Sequence, residues 1–349
     1  MRAMSGRPHD FDPNGPADAT DGIFGLPYTE QQAALVLVPV PWDATTSYRP
    51  GTARGPAALL AASPQLDLFD LDLDAPYAAG IHLLPEPAEL VALNAAARAD
   101  AERVMDGDDP AALARANAAC ARMVEHVRAE TRRLLAAGKL VGIVGGDHSV
   151  PLGAIAALGE RHPHFGILHF DAHHDLRQAY MGFTDSHASI MHNVLAQVPQ
   201  VTRLVQVGIR DFSGDEHDQA RAAGARVVVF YDQVLAEARA AGTPWQAQTE
   251  RIVAALPDDV YVSFDIDGLD PRFCPHTGTP VPGGLAYDEA VHLIREVVRS
   301  GRRIVGFDLV EVAPDPGGDE WDANVGMRLL YRLACWTLAS QGLVARRAR

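Results

Sequence analysis

Cysteine is scarce in this chain of 349 residues: Cys120, Cys274 and Cys335 are the only three, with no Cys-x-x-Cys pair. A set so few, scattered and odd in number excludes a disulfide framework and offers no thiolate zinc or dithiol redox motif. Positive charge is also short, since 30 Lys and Arg face 45 Asp and Glu, for a formal net charge of -15. That balance argues against nucleic acid or an anionic membrane as partner, and suits metal ions, a cationic substrate or simple solubility. No apolar run approaches the roughly 20 residues that span a bilayer. The first residues, MRAMSGRPHDFDPNG, lack the apolar stretch of a secretion signal. A reduced, cytoplasmic setting is the expectation. Repeats and Ser/Gly-rich linkers are missing as well.

What is present is a large apolar fraction, 48% of residues, arranged in a repeating order. Residues 1–26 are rich in Gly, Pro and Asp and read as a flexible or surface-hugging extension. The strand ALVLVPVPW (Ala34 to Trp42) follows, then a Gly/Pro/Thr loop and a short helix opening at Pro56. The stretch from Leu66 to Asp109 mixes alternation in LDLFDLDLD with a helical run in ELVALNAAARADAERVM. From Ala111 onward helices alternate with KLVGIVG, FGILHFD, RLVQVGI, RVVVFY, VYVSFDID and RIVGFDLVEV, ending in a helix over residues 323–339. Continuous Val/Ile/Leu strands alternating with helices predict an α/β fold with a parallel sheet covered on both faces. The chain reads as one domain over residues 27–349.

Polar clusters fall at the ends of three of these strands: GGDHS (Gly145 to Ser149), DAHHD (Asp171 to Asp175) and DIDGLDP (Asp265 to Pro271). Ligands of open parallel sheets bind outside the carboxyl ends of the strands, so the three clusters could converge. In Asp171-x-His173-x-Asp175 and Asp265-x-Asp267 an extended backbone sends alternate side chains to one side. Carboxylates crowded in low dielectric repel unless cations neutralise them. Four Asp and two His could hold two divalent ions. Any one fragment alone is as well explained by a turn or a cap.

GGDHS, FDAHHD and SFDIDGLDP, with GTP-x-PGG (Gly278 to Gly284) and VEVAP (Val310 to Pro314), resemble the ureohydrolase family of arginases, agmatinases and other guanidino hydrolases. The resemblance runs from Ala34 to the last helix. It implies a three-layer α/β/α sandwich with a parallel sheet of about eight strands, two divalent metal ions per subunit, and homotrimers or homohexamers. By motif, His148, Asp171, Asp175 and Asp265 would surround one metal, and His173, Asp171, Asp265 and Asp267 the other. Two ions roughly 3.5 Å apart deprotonate a bridging water, whose hydroxide attacks the guanidinium carbon and releases urea and an amine or ammonia. His187 matches the family's proton shuttle, Asp175 would be its partner as metal ligand and proton acceptor, and Glu311 matches the carboxylate that grips the guanidinium.

Arg177 stands where arginases carry an Asn that helps hold the amino acid's carboxylate. That argues against arginine as substrate. Arg177 would pair either with a substrate carboxylate, as in a guanidinoalkanoate, or with a neighbouring acid. The details DATTSYRPGT, SHASIMHN and EWDAN are more similar to agmatinase relatives that include nickel-dependent guanidine hydrolases. On that basis Thr45 or Thr46 would line a small pocket and Trp321 would cover a cation with its ring face. His174 matches no ligand of the family, and His169 and His192 read as packing or surface residues. The donor set suits manganese or nickel. The expected function is hydrolysis of guanidine, an N-alkylguanidine or a biguanide-type compound, with agmatine or a guanidinoalkanoate as the alternative. Intact ligand positions weigh against a non-catalytic partner subunit, and the paired Asp motifs against a single-metal deacetylase.

Overall fold

A computed structural model describes residues 11–17, 20–107 and 109–347. The first half contains β1 (Leu35–Val40), α1 (Gly55–Ala62), β2 (Ile81–Leu83), α2 (Ala88–Asp106), α3 (Pro110–Ala136), β3 (Leu140–Gly145), α4 (Leu152–Gly159), β4 (Phe165–Phe170) and α5 (Ile190–Gln197). The second contains β5 (Val201–Ile209), α6 (Gly214–Ala222), β6 (Val227–Tyr231), α7 (Asp232–Ala240), α8 (Trp245–Ala254), β7 (Asp259–Asp265), α9 (Tyr287–Arg299), β8 (Arg303–Val310) and α10 (Trp321–Ser340). The eight strands form one sheet in the order β2-β1-β3-β8-β7-β4-β5-β6. Every pairing is parallel.

Parallel neighbours require a crossover, and helices supply it, so both faces of the sheet are covered. Helices α2 to α5 pack as one group, and α1, α8, α9 and α10 as another. This is the three-layer sandwich expected. The strands β1, β4 and β7 are buried almost end to end, which is why they read as unbroken apolar runs. Local signals set the helix starts. Asp109 accepts the Ala112 N–H ahead of Pro110, and Ser213 and Glu216 close a reciprocal capping box on α6.

Four elements depart from the sequence reading. Ile23, Phe24 and Leu26, inside the segment read as an extension, are buried, and the Phe24 ring meets Tyr331 edge-on at 5.1 Å. LDLFDLDLD has true alternation but forms no strand of the sheet, making only one antiparallel bridge, Leu73 to Arg346. Leu68, Asp70 and Leu73 turn inward, with Asp70 paired to Arg332, while Phe69 and Leu71 are 62% and 70% exposed. Strand β2, only three residues long, carried too little pattern to see. Helix α7 buries only Asp232 and Leu235, so its apolar stripe is almost absent.

Candidate metal centre

The four central strands β3, β8, β7 and β4 deliver the site, each at its carboxyl end. His148 follows β3, Glu311 follows β8, Asp265 ends β7 with Asp267 in the turn just after it, and Asp171 follows β4. Glycine lets these ends approach. A Cβ on Gly268 would lie 2.7 Å from the Asp171 backbone nitrogen, so the DIDG and FDAH segments touch backbone to backbone. A Cβ on Gly146 would lie 1.9 Å from the Trp42 carbonyl oxygen, which brings the loop after β1 against GGDHS.

Two donor groups result. His148 Nδ1 lies 3.0 Å from Asp171 Oδ2, 3.2 Å from Asp175 Oδ2 and 3.3 Å from Asp265 Oδ2. That buried nitrogen has no partner in hydrogen-bond geometry. His173 Nδ1 lies 3.3 Å from Asp171 Oδ1 and 3.2 Å from Asp267 Oδ2. Asp171 therefore faces one group with each oxygen. Asp265 turns Oδ2 to the first group, and its Oδ1 accepts the Asp267 N–H at 2.8 Å. His148, Asp171 and Asp175 form one cluster suited to a metal ion together with His169, and Asp171, His173 and Asp267 form the other, while Asp265, the sixth predicted ligand, stands beside the first through its 3.3 Å approach to His148.

The electrostatics demand positive charge here. Burial, with Asp171 alongside, pushes Asp175 up to about 7, and burial with Asp267 and Asp171 pushes Asp265 well above the ordinary carboxylate range. Burial opposes protonation of His148, yet Asp171, Asp175 and Asp265 hold its imidazole well above the usual value. Burial likewise opposes a charge on His173, and Asp267 and Asp171 overcome it. Such a set is stable only around a cation or protons, and converging Nδ1 and carboxylate oxygens are the donors that divalent ions take.

A second layer fixes the ligands. Ser263 Oγ lies 2.9 Å from His148 Nε2 and donates to Asp308 Oδ1 at 3.1 Å, so Nε2 carries a ring proton and Nδ1, facing the carboxylates, is the nitrogen that would give up its proton to a metal. Gln206 Nε2 donates to the His174 carbonyl at 2.9 Å, which sets its amide. The same nitrogen lies 3.0 Å from His169 Nδ1, and His169 Nε2 lies 2.8 Å from Asp171 Oδ2. His169, read from the sequence as packing or surface, thus donates a proton to a ligand. His174 donates Nδ1–H to Gln206 Oε1 at 2.7 Å and packs on Phe212, away from the donor groups. Polar residues inside the apolar runs GILHF, RLVQV, YVSF and GFDLV were the signal for this layer, since a buried polar group needs a partner.

A cavity of about 280 Å³ opens beside the donors. His148, His173, Asp175, Asp265, His187, Glu311 and Arg177 line it, with Ser47, Tyr180, Asp211, Phe212, Ser213, Glu216 and Thr279. His187 Nδ1 is buried without a partner, and burial with His173 and His148 nearby holds the ring down to about 4. Glu311 Oε1 accepts the His148 N–H at 2.9 Å. Burial, with Asp147 near, pushes the Glu311 carboxyl well above its usual range. Asp175 and Glu311 both sit in the left-handed region, at φ 54° and 62°. Three Asp175 and Glu311 backbone contacts hold those turns: the Asp175 carbonyl takes Met191 and His192 N–H, and Glu311 N–H goes to Gly146.

Of the remaining candidates, Arg177 lines the cavity, while Thr45, Thr46 and Trp321 lie outside its lining. Thr45 and Thr46 are buried, and Ser47 is the residue of that loop that reaches the cavity. Trp321 is 46% exposed, donates Nε1–H to the Arg272 carbonyl, and borders a different cleft with Phe273, Tyr287 and Arg328. Arg177 lies 3.5 Å from Glu216 Oε2 and over the Tyr180 ring at 5.0 Å. Its partner is therefore a neighbouring acid.

The Arginase family model matches residues 33–335. An N(1)-aminopropylagmatine ureohydrolase of Thermus thermophilus is 37% identical over 298 residues, covering 84% of this chain and 87% of that one. A guanidinopropionase of Pseudomonas aeruginosa is 34% identical over 320 residues, 89% of each. Among solved structures, proclavaminate amidino hydrolase from Streptomyces clavuligerus superposes with a TM-score of 0.71 at 26% identity, covering 91% of this chain and 97% of that one. Fold, site and sequence agree: the chain belongs to the arginase family of ureohydrolases.

Proposed function

We propose that the chain hydrolyses a small carboxylate-free guanidino compound, guanidine or an N-alkylguanidine or biguanide, to urea and an amine or ammonia. The observation that carries this reading is one cavity shared by both donor groups, His187 and Glu311. His148, Asp171, Asp175 and Asp265 would hold one divalent ion, and His173, Asp171, Asp265 and Asp267 a second, manganese or nickel. The ions would supply the Lewis acidity that makes water nucleophilic at neutral pH.

The side chains do the rest. A guanidinium beside Glu311 would draw its carboxyl into the ionised form and be held by charge-assisted hydrogen bonds. His187, neutral at pH 7, has an unpartnered nitrogen free to take a proton and pass it to the leaving nitrogen. Asp175, which lines the same cavity, could take the proton that the attacking water gives up, for relay through His187 to the leaving nitrogen. Because Arg177 is offset by Glu216, the cavity wall offers little to a carboxylate. Asp211 on the rim favours a second reading, a substrate with a distal amine such as agmatine. A single domain over residues 27–349, homotrimers or homohexamers, and a cytoplasmic location complete this reading, on the family resemblance.

The test is urea release from guanidine, N-alkylguanidines, biguanides, agmatine, guanidinopropionate, guanidinobutyrate and arginine, each with Mn²⁺ and Ni²⁺. Turnover of carboxylate-free compounds with loss in Glu311→Gln is expected. Silence across the whole panel would overturn the proposal.

A further inference from the structure

The loop between β7 and α9 carries a histidine that neither the donor groups nor the cavity uses. His276 is clamped at three points. Its backbone N–H donates to Asp322 Oδ1 at 2.9 Å, its Nδ1 lies 2.8 Å from Asp322 Oδ2, and its Nε2 lies 3.3 Å from Asp315 Oδ1. Asp322 is fully buried in the first turn of α10. Asp315 lies in the turn between β8 and α10, where it accepts the Gly317 and Asp319 N–H groups. With a carboxylate at each ring nitrogen, both nitrogens act as donors, which is the arrangement of an imidazolium.

The residues that follow reach the site at once. Thr277 Oγ1, buried, donates to the Glu311 carbonyl at 2.8 Å. Thr279 Oγ1 lies 3.3 Å from Asp267 Oδ2. Glu311 needs such support, because its left-handed backbone is costly for a residue with a side chain. One short strap therefore ties the head of α10 to Glu311 and to Asp267.

We propose that His276 is a positioning residue for the guanidinium pocket: clamped by Asp322 and Asp315, it fixes the 275–279 strap, which holds Glu311 and Asp267 in place. The strap itself rests on geometry alone, and only the kinetic arm of its test rests on the reading of Glu311 as guanidinium-binding. The charged groups facing His276 are Asp322 on α10 and Asp315 and Asp319 on the turn, while Arg49 donates to the adjoining Pro275 carbonyl.

Three measurements on the full chain test it. Amide exchange at Thr277, Gly278 and Thr279 should quicken at least tenfold in His276→Ala, while β4 and β7 keep their protection. KM for whichever guanidino compound the wild type turns over should rise roughly tenfold, with kcat falling less. In an NMR titration the His276 ring should ionise above the ordinary histidine value and fall toward it in Asp315→Asn. Asp315→Asn leaves Asp322 intact and should give smaller changes of the same kind, which keeps the test open if His276→Ala does not fold. Unchanged exchange at residues 277–279 in a folded His276→Ala, or in Asp315→Asn if that alone folds, would overturn the proposal. If the wild type releases no urea from any compound, the function fails and the exchange data alone decide the strap.

Discussion

Ser263→Ala should weaken metal binding without touching a ligand. The Ser263 hydroxyl holds His148 Nε2 at 2.9 Å and passes its own proton to Asp308. Alanine leaves a buried imidazole N–H without an acceptor, at a cost of about 1–3 kcal/mol. Asp308 Oδ1 keeps the Phe264 N–H at 3.0 Å, so the damage centres on the ring. Freed from Ser263, His148 can rotate or change tautomer, so that Nδ1 is no longer held toward the three carboxylates as the nitrogen available to a metal. Loss of such outer partners typically costs about 10–100-fold in metal affinity, or about 1.4–2.7 kcal/mol. Competition with a chromogenic chelator, using Mn²⁺ and Ni²⁺ in turn, would read the change. Ser340→Ala is the control, since it removes hydroxyl bonds to the Thr337 carbonyl and Ile304 N–H far from the site. It should lower the melting temperature and leave affinity alone. A folded Ser263→Ala that binds within twofold of wild type would refute the assignment of the His148 tautomer.

Two other outcomes are expected. In the metal-free chain Asp175 ionises near 7 instead of near 4, so between those values the native state keeps a proton that the unfolded state has lost. Its contribution to stability therefore falls as pH rises through 7, while metal uptake must expel that proton and tighten with pH. Calorimetry at pH 6 in buffers of different ionisation enthalpy should show proton release, and heats independent of buffer would contradict the crowding argument. In Gly268→Ala the new Cβ would press on the Asp171 backbone at 2.7 Å. Overpacking of that kind costs about 1–3 kcal/mol, and the melting temperature and metal stoichiometry should fall together.

The sheet and the convergence of the six predicted ligand positions were legible because both leave local marks. Continuous apolar strands announce burial on two faces, and Asp-x-His-x-Asp or Asp-x-Asp at a strand end has a spacing that can be read in one dimension. What supports these positions leaves only a polar residue inside an apolar run, with nothing to say which group it meets. Ser263 meets His148 and is itself held by Asp308 from another strand, and Gln206 joins His169 to His174 across the β4–β5 pair. Such partners are set by strand order, which alternation cannot give. Thr46 illustrates a smaller limit. Its loop does approach the site, but a one-residue shift of a turn decides that Ser47 points into the cavity. Helix α7 and strand β2 escaped notice for want of length and buried area. Trp321 looked useful because aromatic faces suit cations, yet its indole is committed to the Arg272 carbonyl.

The left-handed turns at Asp175 and Glu311 have a consequence for directed evolution. Each holds a side chain in a backbone conformation that glycine adopts freely, at a cost of order 1–3 kcal/mol. Both positions are thus local reserves of unclaimed thermal resistance. A library selected only for surviving heat, with no demand for turnover, would enrich glycine or asparagine at 175 and 311 and would return robust proteins that have lost their chemistry. Positions 175 and 311 would stand out in that selection beside the other left-handed residues, Phe24, Arg49, Ala75 and Met181, without any substrate being known.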